Sequence, residues 1–273
     1  MIDLLCTVRE CRKLLQKIEK TLVCPLGHNF DISRSGYVNL LQPQDRRSLS
    51  PGDSQQTVAA RYRLLTAGQD NLFVKAIIDT IKGFAFPNTP KILDVGCGEG
   101  FYLNSIMKEY QVKASGLDIS VAAIDLAARH YQKATWVVAN ADRFLPYPDK
   151  EFDIVMSITA RKNPSEFRRV LLPQGYLLIV VPAPDDLVEL RESVMGKGVL
   201  RDRSKQVLET FSESFVFLRS DTVNYQQHLS KSLLTDLLLT TYRGARHREQ
   251  ERFDQINEMT VTFSRQIFCF RPK

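Results

Sequence analysis

At 273 residues the chain has room for one domain with a full hydrophobic core and a small second module; it shows no internal repeat, no low-complexity tract and no apolar run long enough to span a bilayer, which excludes solenoid and membrane-spanning architectures. Five cysteines, an odd number, with no secretory leader lead to the expectation of a reducing cytoplasm. A net charge of +6, from 37 basic against 31 acidic residues, favours a polyanionic partner modestly.

Taken in chain order, the first signal is metal-like. Cys6, Cys11, Cys24 and His28 have the spacing C-x4-C-x12-C-x3-H, within the range of structural zinc sites, where four thiolate and imidazole ligands close a tetrahedron and leave no open position for catalysis. The polar segment Arg12 to Val23 between the pairs fits a small hairpin, and a module of this size has so little core that the metal would supply much of its folding energy. The alternative is four unlinked residues near a terminus. A polar stretch, Gln42 to Ser54, with two prolines and a glycine, reads as a linker, giving expected domains of 1–50 and 51–273. An amphipathic helix is expected over Asn71 to Lys82.

The second signal is Lys91 to Gly100, a short apolar strand running into Gly96, Gly98 and Gly100, with Asp94 just ahead of the turn. Such a turn at the carboxyl end of a strand brings the backbone close to a bound nucleotide-like molecule. Asp94 bears on its charge: a carboxylate there repels the pyrophosphate of a dinucleotide, whereas S-adenosylmethionine brings an ammonium and a sulfonium. Asp118 ends a second expected strand, where the ribose hydroxyls of a nucleotide are held; Asp118 and Ser120 are equally good helix caps for the segment from Val121. Further strands are expected at Thr135 to Asn140, with Asn140 and Ala141 at its end able to meet an adenine ring, at Phe152 to Ile158 and at Gly175 to Val181. Helices are expected at Phe101 to Tyr110, Val121 to Tyr131 and Ser165 to Leu171, so the alternation predicts a doubly wound α/β domain. Beyond Asp185 the pattern yields strands at Phe211 to Leu218 and Met259 to Phe270 with a helix from Lys231 to Tyr242. Cys97 and Cys269 read as packing residues.

Asp94 to Gly100, Asp118, Asn140-Ala141 and Leu171 to Gly175 together resemble the class I S-adenosylmethionine-dependent methyltransferases, with Gln174 in place of one glycine of the usual Pro-Gly-Gly turn. That resemblance implies a mostly parallel, seven-stranded Rossmann-like sheet, with Asp94 and the glycines at the methionine end, Asp118 on the ribose and Asn140 and Ala141 along the adenine. Read with the cysteine-rich start, Gly36-Tyr37-Val38-Asn39-Leu40-Leu41, the Gly52-Asp53 turn and the Ala60-Arg61 helix, the chain is similar to the RlmA family of 23S rRNA guanine-N1 methyltransferases over its first 185 residues. The family implies a zinc ribbon ahead of the transferase domain, a 23S rRNA hairpin as substrate and a homodimer that cradles it.

The chain departs from the family pattern at three places. The first cysteine pair encloses two extra residues; Thr159-Ala160-Arg161 replaces an aromatic-Ala-Pro run that faces the target base; and Thr240 to Arg243 lacks the proline of a corresponding element. Arg161, able to stack on a base or hold a phosphate, and Tyr242 are therefore the candidate substrate contacts, against readings as a solvated loop arginine and a frayed helix end. Guanine N1 carries a proton in its neutral form, so methyl transfer calls for a base, yet neither Asp142 nor Glu166 identifies itself as one and no catalytic base is assigned. Two other readings stay open: a small-molecule methyltransferase with an appended ribbon, and a non-catalytic RNA-binding protein that retains the fold.

Overall fold

The computed structural model describes residues 2–46, 48, 51–196, 198, 202–241 and 247–273. It contains a three-stranded sheet near the N-terminus and a larger, eight-stranded one. The small sheet is formed by β1 (Gln16–Ile18), β2 (Thr21–Val23) and β3 (Asn29–Asp31), all antiparallel. The hairpin expected between Arg12 and Val23 is β1–β2, turning through Glu19 at φ 50°.

The large sheet runs in the order β10-β11-β9-β8-β5-β6-β7-β4. Its strands are β4 (Val38–Asn39), β5 (Lys91–Val95), β6 (Lys113–Asp118), β7 (Thr135–Val138), β8 (Phe152–Ile158), β9 (Leu171–Pro182), β10 (Phe215–Ser230) and β11 (Glu258–Pro272). β4 to β9 pair in parallel, while β11 runs antiparallel to β9 and to the edge strand β10. The helices are α1 (Gln55–Thr66), α2 (Asn71–Lys82), α3 (Phe101–Glu109), α4 (Val121–His130), α5 (Pro164–Val170), α6 (Val188–Met195), α7 (Ser204–Phe211), α8 (Lys231–Thr241) and α9 (His247–Asp254). The seven strands expected of the transferase sheet are present, and β4 adds an eighth.

Alternation along the strands divides the core into two layers. In β5, Ile92 packs with Phe73, Ile77 and Ile81 of α2 and Leu103 of α3, whereas Leu93 and Val95 pack on the other face with Phe167, Val170 and Phe211. The second layer is continuous with the N-terminal module, since Leu4, Leu22, Cys24, Phe30 and Leu40 belong to it. Backbone bonds fasten the same junction: Leu40 N donates to Val138 O at 2.9 Å and Leu5 N to Pro146 O at 2.9 Å.

Two local expectations change. The turn expected around Leu172 to Gly175 is absorbed into β9, where Leu171 pairs with Phe152 and Tyr176 with Ile154, so the extra residues bulge out of the ladder. Phe211, expected to open a strand, closes α7, and β10 begins at Phe215; α7 carries its apolar residues, Val207 and Phe211, four apart, the spacing of one buried helix face.

Candidate functional site

A cavity of about 670 Å³ opens where β5, β6, β8 and β9 end, the crevice in which α/β sheets bind ligands. Its floor is the glycine turn. Gly96 N and Cys97 N both donate to Leu117 O, at 2.7 and 3.1 Å, and Gly98 N donates to Asp118 Oδ2 at 3.0 Å, which locks the turn to the end of β6. At Gly96 the φ of 78° and the 2.2 Å that would separate a Cβ from Ala160 both require glycine. Gly100 does a different job from the one expected: it is absent from the cavity lining, and a Cβ there would lie 2.4 Å from Trp136. It lets α3 start against the ring.

Carboxylates dominate this end of the cavity. Asp94 is 1% exposed and neither of its oxygens has a hydrogen-bond partner among the described residues. Burial, reinforced by the carboxylates of Asp118 and Glu99, pushes its carboxyl well above the ordinary range. Glu99 is paired with Arg61 of α1 at 2.6 Å, and the same guanidinium reaches Asp53 at 2.6 Å. Asp118 Oδ1 accepts from Ser120 N at 2.8 Å and Oδ2 holds the glycine turn, while the cap of α4 is Ser120, through Ala123 N. An orphaned buried carboxylate above a backbone turn fits the positive methionine end of S-adenosylmethionine. Asn140 and Ala141 line the cavity beside Ile119. Asn140 is held in place by donating to Asp45 O at 2.8 Å, and Ala141 O accepts from Asn163 at 2.9 Å.

The cavity is lined as well by Gln69, Asp70, Thr159, Asp186, Leu187 and Arg265. Asp70 is saturated, accepting from Tyr225 and Arg265 at 2.8 Å each and from Tyr102. Thr159 and Leu187, at φ 53° and 54°, hold left-handed backbone that side chains of their kind rarely adopt, and both stand just past the ends of parallel strands. Arg161 lies at the rim, largely exposed and 3.9 Å from Asp142. Glu166 is occupied structurally, accepting from Leu145 N at 2.8 Å and pairing with Arg169 at 2.7 Å. Tyr242 lies outside the described residues.

In the N-terminal module the Sγ atoms of Cys6, Cys11 and Cys24 and a ring nitrogen of His28 converge within 4.8 Å of one another. Ligands about 2.3 Å (sulfur) and 2.0 Å (nitrogen) from a tetrahedral Zn²⁺ stand roughly 3.5–3.8 Å apart. The separations of 3.5 Å from His28 Nδ1 to Cys6 and to Cys24, and of 3.8 Å from Cys11 to Cys24, match. The two extra residues between Cys6 and Cys11 are taken up by a turn with Arg9 at φ 45°, closed by Cys11 N to Val8 O at 3.0 Å. Burial, helped by the neighbouring Cys11, pushes the Cys6 thiol up to about 12. At Cys24 burial also raises the thiol, but the N–H groups of Leu26 and His28 bring it down to about 7. A cation bound among them would hold all three as thiolates.

Comparison with known proteins gives two family matches, one described as "RlmA, N-terminal" over residues 6–49 and one as "Methyltransferase domain" over 92–175. The chain is 36% identical over 196 residues to the 23S rRNA (guanine(748)-N(1))-methyltransferase of Streptomyces fradiae, covering 71% of this chain and 68% of that one. It is 34% identical over 277 residues to a Micromonospora griseorubida protein assigned as a 23S rRNA (guanine-N(1)-)-methyltransferase, covering 93% and 91% of the two chains. The chain belongs to the RlmA family of 23S rRNA guanine-N1 methyltransferases. Its cofactors are those of that architecture, S-adenosylmethionine and a structural zinc ion. Among solved structures the [4+2]-cyclase SpnF has the same fold at 18% identity and a TM-score of 0.52, covering 82% of this chain and 98% of that one. A likeness at that level carries the fold alone.

Several residues of this RlmA-family site are invisible to motif reading. Arg61 belongs to a quoted segment, but only the fold lays α1 across the glycine turn, where a Cβ on Gly98 would lie 2.9 Å from the guanidinium. Gln69, Asp186 and Arg265 come from three elements far apart in sequence and carry no local pattern. Gly52 would have been the signal for the strap over the site: at φ 87°, a Cβ would lie 2.8 Å from Ser120 N.

Proposed function

We propose that the chain methylates N1 of one guanine in a hairpin of 23S rRNA, using S-adenosylmethionine. The observation that carries this reading is similarity to a curated relative over 93% of the chain, ribbon and transferase sheet together, with an orphaned carboxylate at the cofactor end of the cavity. When bound, the cofactor supplies a methyl carbon made electrophilic by its sulfonium. Asp94 would meet the cationic methionine end, Gly96 and Gly98 would let it approach the backbone, Asp118 would take the ribose, and Asn140 and Ala141 would border the adenine. The separation of Asp94 from Asp118 along one wall then fixes the cofactor's direction, and alignment of the acceptor with the methyl group supplies much of the rate.

Cys6, Cys11, Cys24 and His28 are the proposed zinc ligands, and residues 1–50 the RNA-recognising part beside the transferase part 51–273. Exposed Arg9, Arg12, Lys13, Lys17 and Lys20 give the ribbon a phosphate-binding surface, and Arg161 extends it to the cavity rim. Ribosomal substrate implies a cytoplasmic enzyme; no helix among the described residues is long and apolar enough to cross a membrane. The chain is proposed to act as a homodimer, for which the exposed Val216, Phe217 and Leu218 on edge strand β10 offer an apolar surface.

The test is mass mapping of 23S rRNA from cells with and without the gene. Loss of one N1-methylguanosine in the deletion, restored by the wild-type chain and not by Asp94→Ala, is the expected result and identifies the guanine. An unchanged map with cofactor binding intact would move the reading to another acceptor.

A further inference from the structure

Neutral guanine holds a proton on N1, so the enzyme needs an acceptor for it at the end of the cavity facing the methyl group. The carboxylates that reach the cavity can be sorted by what already occupies them. Glu99 and Asp53 are ion-paired with Arg61, Asp118 holds two backbone N–H groups, and Asp70 accepts from an arginine and two tyrosines. Asp94 lines the cavity beside the glycine turn, where it would face the cofactor's charge, and Asp142 sits at the outer rim beside Arg161.

Asp186 is left. Its Oδ1 accepts from Ser264 N at 2.9 Å, while Oδ2 accepts nothing among the described residues and the side chain lines the cavity. Its backbone is pinned by donation to Ala183 O at 3.1 Å and by Arg191, whose guanidinium bonds the Asp186 carbonyl. The next residue, Leu187, takes the left-handed backbone noted above, held by Leu187 N to Thr262 O at 2.7 Å, which fixes the angle of the turn that presents the carboxylate. The charges facing Asp186 are Arg265 of β11, Arg191 of α6 and Asp70, with Tyr102 and Tyr225 joined to Asp70. Burial and Asp70 raise its carboxyl while the two arginines restrain it, so proton uptake is easier than for a solvated carboxylate.

In the lining of the same cavity the amide oxygen of Gln69 is buried with no hydrogen-bond partner among the described residues. Guanine presents N1–H and the N2 amino group side by side on its Watson–Crick edge, two donors for two bare oxygens. We infer that Asp186 is the catalytic base that accepts the N1 proton of the target guanine, and that Gln69 Oε1 accepts from its exocyclic amine. In the step, the N1–H bond breaks and the proton passes to Asp186 Oδ2. The electron pair left on N1 forms the new bond to the methyl carbon as the carbon–sulfur pair departs with sulfur, so carboxylate and sulfonium charges disappear together.

The assignment rests on the guanine-N1 reading, and the experiment separates the two. Zinc-loaded full-length protein is assayed on unmodified 23S rRNA, with the product nucleoside identified by mass spectrometry. Asp186→Asn, which keeps an acceptor for Ser264 N, is expected to lower kcat by about 10²–10⁴-fold. Cofactor and RNA dissociation constants and the melting temperature should stay near wild type. Its residual rate should climb about tenfold per pH unit as hydroxide replaces the lost base, where the wild-type profile flattens. Asp185→Asn, whose carboxylate instead accepts from Asn224, should keep the wild-type rate. On RNA with inosine at the target, which lacks only the exocyclic amine, wild type should discriminate by tenfold or more (~10-fold) and Gln69→Leu should not. A kcat for Asp186→Asn within about threefold of wild type with an unchanged pH profile, against a general-base contribution of 10²–10⁴, would overturn the assignment and leave the guanine-N1 reading standing. A wild-type product other than N1-methylguanosine would overturn both, and is seen before any variant is made.

Discussion

Asp94 carries an energetic conflict that only the cofactor relieves. Its carboxyl is buried, unpartnered and raised well above 3.8, so the folded chain keeps a proton there that the unfolded chain gives up. The sign follows: stability of the cofactor-free protein falls as pH rises from about 4 toward the raised value, because ionising the buried group is unfavourable. Asp94→Asn removes that penalty. We predict that it raises the neutral-pH melting temperature of the free protein, by about 2–4 °C for each kcal/mol regained, while abolishing cofactor binding; calorimetry and titration with S-adenosylmethionine read both. For wild type, affinity for the cationic cofactor should rise with pH through the Asp94 titration, since binding expels the proton. A flat affinity profile would count against this. The charge argument for Asp94 was legible from its place before the glycine turn, as was the pairing of Asp118 with a cap. Arg61, Gln69 and Asp186 were not, because their roles depend on which distant segments the sheet brings to one rim.

At the scale of elements, Gly52 and Asp53, just ahead of α1, act as a strap. Composition reads Gln42 to Ser54 as a linker, and among its described residues Pro43–Asp45 form a 3₁₀ turn. What composition cannot express is that Ser120 Oγ donates to Asp53 O at 2.8 Å and that Asp53, Arg61 and Glu99 form one ion-paired chain over the glycine turn. Arg61→Gln leaves Glu99, 2% exposed, without its cation. We predict a destabilisation of about 2 kcal/mol, below the ~3–5 for a fully buried pair because the Arg61 side chain keeps contact with water. Cofactor affinity should weaken by about tenfold, the equivalent of one charge-assisted hydrogen bond lost from the wall. Thermal melts and calorimetric titration measure the two effects; loss of stability with unchanged affinity would mean that the strap supports the fold and not the site. Among the regular elements, β5 to β9 follow from short apolar runs buried on both faces, and α2 to α5 from one apolar face against the sheet. The bulge in β9 and the pair α6–α7 do not, since the first depends on pairing with β8 and the second lies past the glycine-marked segments.

For the whole molecule the question is whether the ribbon is an appendage or a structural part of the enzyme. A two-residue strand such as β4 has no periodicity to read, yet it extends the transferase sheet at β7, and Leu22, Cys24 and Phe30 share a core layer with Val137 and Leu145. The ribbon's own strands bury little, with the three residues of β1 all exposed, so its order depends on the zinc cluster and on that shared layer. Disturbing the metal should therefore reach the cavity through Leu40 at the sheet edge and the strap that follows it. We predict that Cys24→Ser, or chelation, removes zinc, lowers the melting temperature and exposes 2–46 to proteolysis. Methyl transfer to rRNA should fall far more than cofactor affinity, because RNA loses the ribbon's basic surface whereas the cofactor loses only the steadiness of the strap. Elemental analysis, limited proteolysis and paired binding assays give the ordering. If the metal-free protein keeps its melting temperature and its rRNA affinity, the ribbon is neither a brace nor an RNA surface. A surviving rRNA affinity with a strong salt dependence would instead assign the phosphate contacts to the transferase rim around Arg161.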